Sequence, residues 1–167
     1  MLINQSSTWK VFFKDPTKCT PLQVQMATNL HNNILVPMLP LAGGSFTLVS
    51  GARDHDDILR LVTAGYNPSQ TSDHLFGDPE PTAGAGDVIP VVGPEAFFAY
   101  VKAHTDRAHG TITLPDGKKV TVGQCIYEKN RTSWIHLSNP RRMFFPDAAG
   151  KTTLLQSFDN GRTYQEA

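Results

Sequence analysis

His74, Asp87 and His136 are the residues of this chain whose types suit a metal ion. Imidazole nitrogen and carboxylate oxygen are zinc donors, and a catalytic zinc keeps three protein ligands with one position open for water. The three sit in Ser72-Asp73-His74-Leu75-Phe76-Gly77, Gly84-Ala85-Gly86-Asp87-Val88-Ile89-Pro90-Val91 and Trp134-Ile135-His136-Leu137-Ser138. A single histidine is ordinarily a hydrogen-bonded residue of core or surface, so the weight rests on the setting of all three. A zinc there would make hydroxide available near neutral pH and polarise a carbonyl. A hydrolase of this kind also needs a general acid/base to carry a proton to the leaving amine.

The setting is an ordered pattern: Ser-x-His with a Gly close behind, a small-x-Asp step into a strand, and a late Trp-x-His. Ser72-Asp73-His74, Gly77, Ala85-Gly86-Asp87 and Trp134-Ile135-His136 carry it, and Ser50-Gly51-Ala52-Arg53 precedes it as a Ser-Gly-x-Arg element. In this order the chain resembles the zinc D-Ala-D-Ala carboxypeptidase and L-alanyl-D-glutamate endopeptidase family, which includes phage cell-wall lysins and bacterial peptidoglycan carboxypeptidases. The resemblance runs from about residue 21 to the end. It implies a Zn2+ cofactor on His74, Asp87 and His136, and peptidoglycan stem peptides as substrate. It casts Arg53 as the guanidinium that holds a peptide carboxylate or carbonyl, a task suited to its planar fork of donors. Ser72 is expected beside Arg53 as a substrate-binding residue, its side chain able to orient the loop by bonding backbone groups, and not as a nucleophile.

Relative to the family, a six-residue insertion at 78–83 separates His74 from Asp87. Its prolines make it a turn-rich loop, and Asp78 within it is an alternative ligand. Asp87 is preferred because it leads into the apolar Val88-Ile89 run. Relatives carry the acid/base a few residues before the last zinc-binding histidine, where this chain has Ser133. Glu128 is the nearest upstream carboxylate and is assigned the role, against the alternative of an exposed strand carboxylate. The implied activity is a D,D-carboxypeptidase or an L,D-endopeptidase, carried by a phage or virion-associated lysin. The alternative is a catalytically inactive tail or baseplate protein on the same fold, with other virion tail proteins as partners.

Positioning these residues requires a scaffold, and 167 residues suit one domain with a sizeable core. Fifteen basic and fifteen acidic residues balance, so no nucleic-acid partner is implied. The first eight residues have neither a basic start nor a sustained apolar run, so no signal peptide is expected. No window reaches the roughly 18 apolar residues of a membrane span. The expectation is synthesis in the cytoplasm and action on the wall after release or within a virion. Cys19 and Cys125 form no paired spacing and are expected as free thiols.

Residues 1–20 are expected as an N-terminal arm, with Trp9-Lys10-Val11-Phe12-Phe13-Lys14 a short strand or part of that arm, ahead of a peptidase-like domain over 21–167. Thr20-Pro21 starts a helix, and Leu22, Met26, Leu30 and Ile34 place an apolar stripe over 21–35. Pro37 and Pro40 should end it, with His31 beside the stripe facing solvent. A strand follows at 45–50. Asp54, Asp56 and Asp57 are expected to cap a helix over 57–64, in preference to forming a second metal site, and 65–70 is a loop. Gly93-Pro94-Glu95 opens another helix with Phe97, Phe98 and Val101 inward and His104 and His109 toward solvent. A hairpin turns at Pro115-Asp116-Gly117. Strands at 124–128 and 134–138, joined by a loop over 129–133, precede a closing hairpin of 152–158 and 162–164 turning at 159–161. The order predicts an α+β fold with a mostly antiparallel sheet and flanking helices, as the family resemblance also implies.

Overall fold

The computed structural model describes residues 1–65, 72–78, 80–129, 131–159 and 161–167. The expected loop over 65–70 lies, beyond Gly65, outside these residues, as do Pro79, Asn130 and Asn160 in three further expected turns.

The architecture is α+β. One sheet is formed by β1 (Leu2–Ile3), β2 (Phe46–Ser50), β3 (Ala85–Pro90), β7 (Cys125–Lys129), β8 (Ser133–Ser138), β9 (Leu154–Ser157) and β10 (Gln165–Glu166). Its order is β1-β2-β3-β8-β7-β9-β10. All pairs are antiparallel except β7 with β9, which run parallel. A smaller antiparallel sheet joins β4 (Thr105–Asp106), β5 (Thr111–Thr113) and β6 (Lys119–Thr121). The α-helices among the described residues are α1 (Pro21–Asn29), α2 (Val36–Met38), α3 (His55–Thr63) and α4 (Pro94–Ala103).

Side chains alternate across a strand, so register decides which residues share a face. Val88 pairs with Ile135, and Cys125 with both Leu137 and Leu154. These join Phe97 and Val101 of α4 and Met26, Leu30 and Ile34 in the core. The opposite face presents Asp87 against His136, His136 against Ile126, and Trp134 against Glu128. A sheet packed on one side and carrying polar residues on the other is the usual antiparallel arrangement.

Several boundaries differ from the expectation. Trp9–Phe12 is a 3-10 turn, because burying Phe12 against Phe76, with Phe13 edge-on to Phe76, satisfies the aromatic residues better than an edge strand would. Residues 1–20 are thus part of the fold: β1 pairs with β2, and Ile3 and Phe12 are core residues. The first helix begins as expected, with Thr20 and Gln23 forming a capping box. It does not stop before Pro37. A π-helical segment, Leu30–Leu35, intervenes, and Val36 donates to the carbonyl five residues back, on His31. This wider turn admits a proline that has no N–H to offer. It also turns His31 inward. His31 is 3% exposed, not solvated, with Nε2 2.8 Å from Ser7 Oγ and Nδ1 2.6 Å from Asn32 Oδ1. The closing hairpin forms between β9 and β10, so its second strand lies just beyond 162–164. Cys19 and Cys125 are free, and no described helix is long and apolar enough to cross a membrane.

Candidate metal centre

Asp87 and His136 are direct neighbours on β3 and β8, so the sheet itself sets two of the three donors side by side. His74 arrives from a 3-10 turn, Asp73–Leu75, closed by Phe76 in the left-handed region. That turn is anchored from below. The Asp73 carboxylate is 1% exposed and accepts from Ala83 N at 3.0 Å and Arg141 Nε at 2.9 Å, while Lys151 Nζ lies 3.2 Å from its other oxygen. A carboxylate buried among three donors is held firmly.

The three donor atoms converge. His74 Nε2 is 3.0 Å from Asp87 Oδ1 and 3.1 Å from His136 Nδ1, and His136 Nδ1 is 3.0 Å from the same Asp87 oxygen. His74 Nδ1 donates to Gly51 O at 2.7 Å, which leaves only a lone pair on Nε2 of the neutral ring. A backbone acceptor on the far nitrogen is the usual way a metal-binding histidine is oriented. Neither Asp87 nor His136 then accepts a proton from His74 Nε2, and His74 Nε2, Asp87 Oδ1 and His136 Nδ1 face a common point. It could hold a metal ion. Gly51 is itself required: a Cβ there would lie 2.4 Å from Phe12 O, whose carbonyl receives Ala52 N at 2.8 Å.

Burial opposes the charge on Asp87, yet the two histidines outweigh it and hold the carboxyl well below the ordinary range. Burial also lowers His74, and Arg53 adds to this against the opposing pull of Asp87. Arg53 donates through Nη2 to Asp87 Oδ2 at 2.8 Å and through Nε to Ser50 Oγ at 3.1 Å, and its backbone N–H reaches His74 O at 2.9 Å. It is thus a brace for the centre, beside its expected role toward substrate. Ser72 closes the turn through its carbonyl, which accepts from Leu75 N, while its hydroxyl makes no capping bond.

Glu128 lies one strand beyond His136 on the same face and is 9% exposed, not an exposed strand carboxylate. Burial first, and then the Asp87 charge, push its carboxyl up to about 7. Trp134, its register partner, buries an indole N–H that finds no hydrogen-bond acceptor within bonding geometry, although it faces and favours the Glu128 carboxylate. Asp78 is exposed and lies outside the cluster. Asp54 and Asp57 are engaged in a reciprocal cap on α3, as expected.

The centre opens into a cleft of about 1050 Å³ that Arg53, Ser72, Glu128, Trp134, Lys151 and Tyr164 help to line. Asp73, Lys151, Arg141 and Tyr164 were not readable as site residues; Asp73 adjoins His74 in sequence, but the others carry no local motif.

The raised Glu128 carboxyl has a sign that can be measured. Its folded value of about 7 exceeds the ordinary 4.5, so the folded state binds more protons between those values and loses stability as pH rises through them. In metal-free protein the difference in urea-unfolding stability between the parent and Glu128→Gln should change by roughly 3 kcal/mol from pH 4 to pH 8, in favour of Gln at high pH. A flat difference would contradict the burial of this carboxyl.

Comparison with protein-family models, with curated proteins and with solved structures finds no match to this chain.

Proposed function

We propose that this chain is a zinc-dependent peptidase that hydrolyses a peptide bond of peptidoglycan stem peptides, as a D,D-carboxypeptidase or an L,D-endopeptidase, within a phage or virion-associated lysin. The observation that carries this reading is the convergence of three buried lone-pair donors on one point of a cleft, with Glu128 on the same sheet face. The His and carboxylate set suits zinc and leaves a coordination position for water. The resemblance of the Ser-x-His, Asp and Trp-x-His segments supplies the substrate class.

Zinc held by His74, Asp87 and His136 would lower the pKa of a water and polarise the scissile carbonyl. Glu128 then moves the proton. From the same sheet face, it accepts a proton from the water whose oxygen bonds to the carbonyl carbon. It returns that proton to the amide nitrogen as the C–N bond breaks, giving a carboxylic acid and an amine. Arg53 fixes the second oxygen of Asp87, keeping the first directed at the centre.

Elemental analysis after zinc reconstitution tests the reading. The parent and Asp78→Ala should each hold about one zinc per chain, and His74→Ala, Asp87→Ala and His136→Ala should hold far less. A parent that takes up none, and releases nothing from stem peptides, would overturn it.

A further inference from the structure

The turn between β9 and β10 is more heavily bonded than a surface turn needs to be. Asp159 Oδ1 accepts from Ser157 Oγ at 3.0 Å, Arg162 N at 3.1 Å and Thr163 N at 2.9 Å, and Oδ2 accepts from Thr163 Oγ1 at 2.6 Å. Ser157 Oγ accepts in turn from Gly161 N at 3.0 Å. The product of this bonding is the placement of Tyr164. Gly161 has a φ of +69°, and a Cβ on it would lie 2.5 Å from Tyr164 Oη and 3.1 Å from Glu128 Oε2. The phenol oxygen and the carboxylate oxygen therefore flank the same bare Cα, in the cleft that also holds His74, Asp87 and His136. Among the described residues Tyr164 Oη has no hydrogen-bond partner.

Hydrolysis of an amide develops negative charge on the carbonyl oxygen, and a preorganised donor aimed at that oxygen is worth a large rate factor. The basic side chains along the cleft are already engaged with carboxylates. Arg53 is bonded to Asp87, Lys14 and Arg60 both to Asp57, and Lys151 is paired with Asp73. Tyr164 offers a neutral, uncommitted O–H next to the proton-transferring group.

We propose that Tyr164 is a catalytic residue of the peptidase reaction, its hydroxyl donating to the scissile carbonyl oxygen as that oxygen becomes anionic, with Asp159 and Gly161 as positioning residues. The inference rests on the peptidase reading above. Burial and the neighbouring Glu128 push the phenol upward from its ordinary value, so it stays protonated and able to donate. No covalent bond to Tyr164 forms or breaks; the proton stays on Oη.

The test compares zinc-reconstituted parent with Tyr164→Phe, a change that removes one partly exposed oxygen and nothing from the core. Three quantities are read: zinc content, kcat and KM on a stem peptide, and the calorimetric affinity of a phosphinate peptide whose tetrahedral phosphorus replaces the scissile carbon. Tyr164→Phe should keep its zinc and a KM within about twofold, while kcat and phosphinate affinity fall together by about 10²-fold. Unchanged kcat and phosphinate affinity would overturn the proposal, as would a loss confined to KM or accompanied by loss of zinc. A parent that neither cleaves the peptide nor binds the phosphinate would instead sink the peptidase reading, and this proposal with it.

Discussion

Glu128→Gln is expected to bind zinc as tightly as the parent and to lose about 10²- to 10⁴-fold in kcat. The substitution keeps the shape of a side chain that is almost wholly buried on β7, and it sits outside the ligand cluster. On the proposed mechanism, what it removes is the ability to take a proton from water and return it to the leaving nitrogen. An amide in the same place can hydrogen-bond to Trp134 or to water but cannot cycle a proton. Glu128→Asp should retain partial activity, because the carboxyl survives with its reach shortened by one methylene. Zinc content by elemental analysis and single-turnover cleavage of a stem peptide would be measured on the same preparations. Undiminished turnover in Glu128→Gln would remove this residue from the mechanism.

The second large effect concerns stability. His74, Asp87 and His136 hold their donor atoms about 3.0 Å apart in the folded state, and a metal that binds only that state should add to its stability by mass action. At free zinc about 1,000-fold above the dissociation constant the gain is about 4 kcal/mol. Urea unfolding of the parent with and without zinc should show it, and His74→Ala and His136→Ala should show almost none. Asp87→Ala should fare worse than either. It removes the carboxylate partner of a largely buried Arg53, and breaking such a pair costs a few kcal/mol. An equal response to zinc in the parent and in His136→Ala would place the metal elsewhere.

The grouping of His74, Asp87 and His136 was legible because each lies within a short segment of distinctive order. Trp134-Ile135-His136 alternates across the sheet, so its histidine had to share a face with Trp134 and oppose Ile135, as it does. Asp87 was favoured over Asp78 for a physical reason, its lead into an apolar strand, and the structure places Asp87 in the cluster and Asp78 at the surface. The start of α1 was equally plain, since Thr20-Pro21 has few other uses. Its end was not. A π-helical segment is set by tertiary packing of Leu30, Ile34 and Leu35 rather than by any local residue preference, so Pro37 read as a stop and His31 as a surface residue. Arg53 was read as reaching toward a ligand, and its bond to Asp87 depends on a contact across 34 positions that spacing alone cannot reveal. Lys151 and Tyr164 belong to the same class of omission. They reach the cleft from either side of β9, which runs parallel to β7, a pairing with no signature in the chain.

The register pairing of Asp87 with His136 has a consequence for how the centre opens and closes. Two of the donors belong to the most interior strands of the sheet, where backbone amides exchange with solvent only in rare, near-global openings. The third rides on a single short turn. Loss and uptake of a metal held there would not need to wait for the sheet: a brief excursion of the His74 turn, restrained by Asp73 and its cationic partners, is the smallest motion that would uncover it. The centre would then behave as a rigid jaw with one hinged tooth, and Asp73 would govern residence time more than affinity.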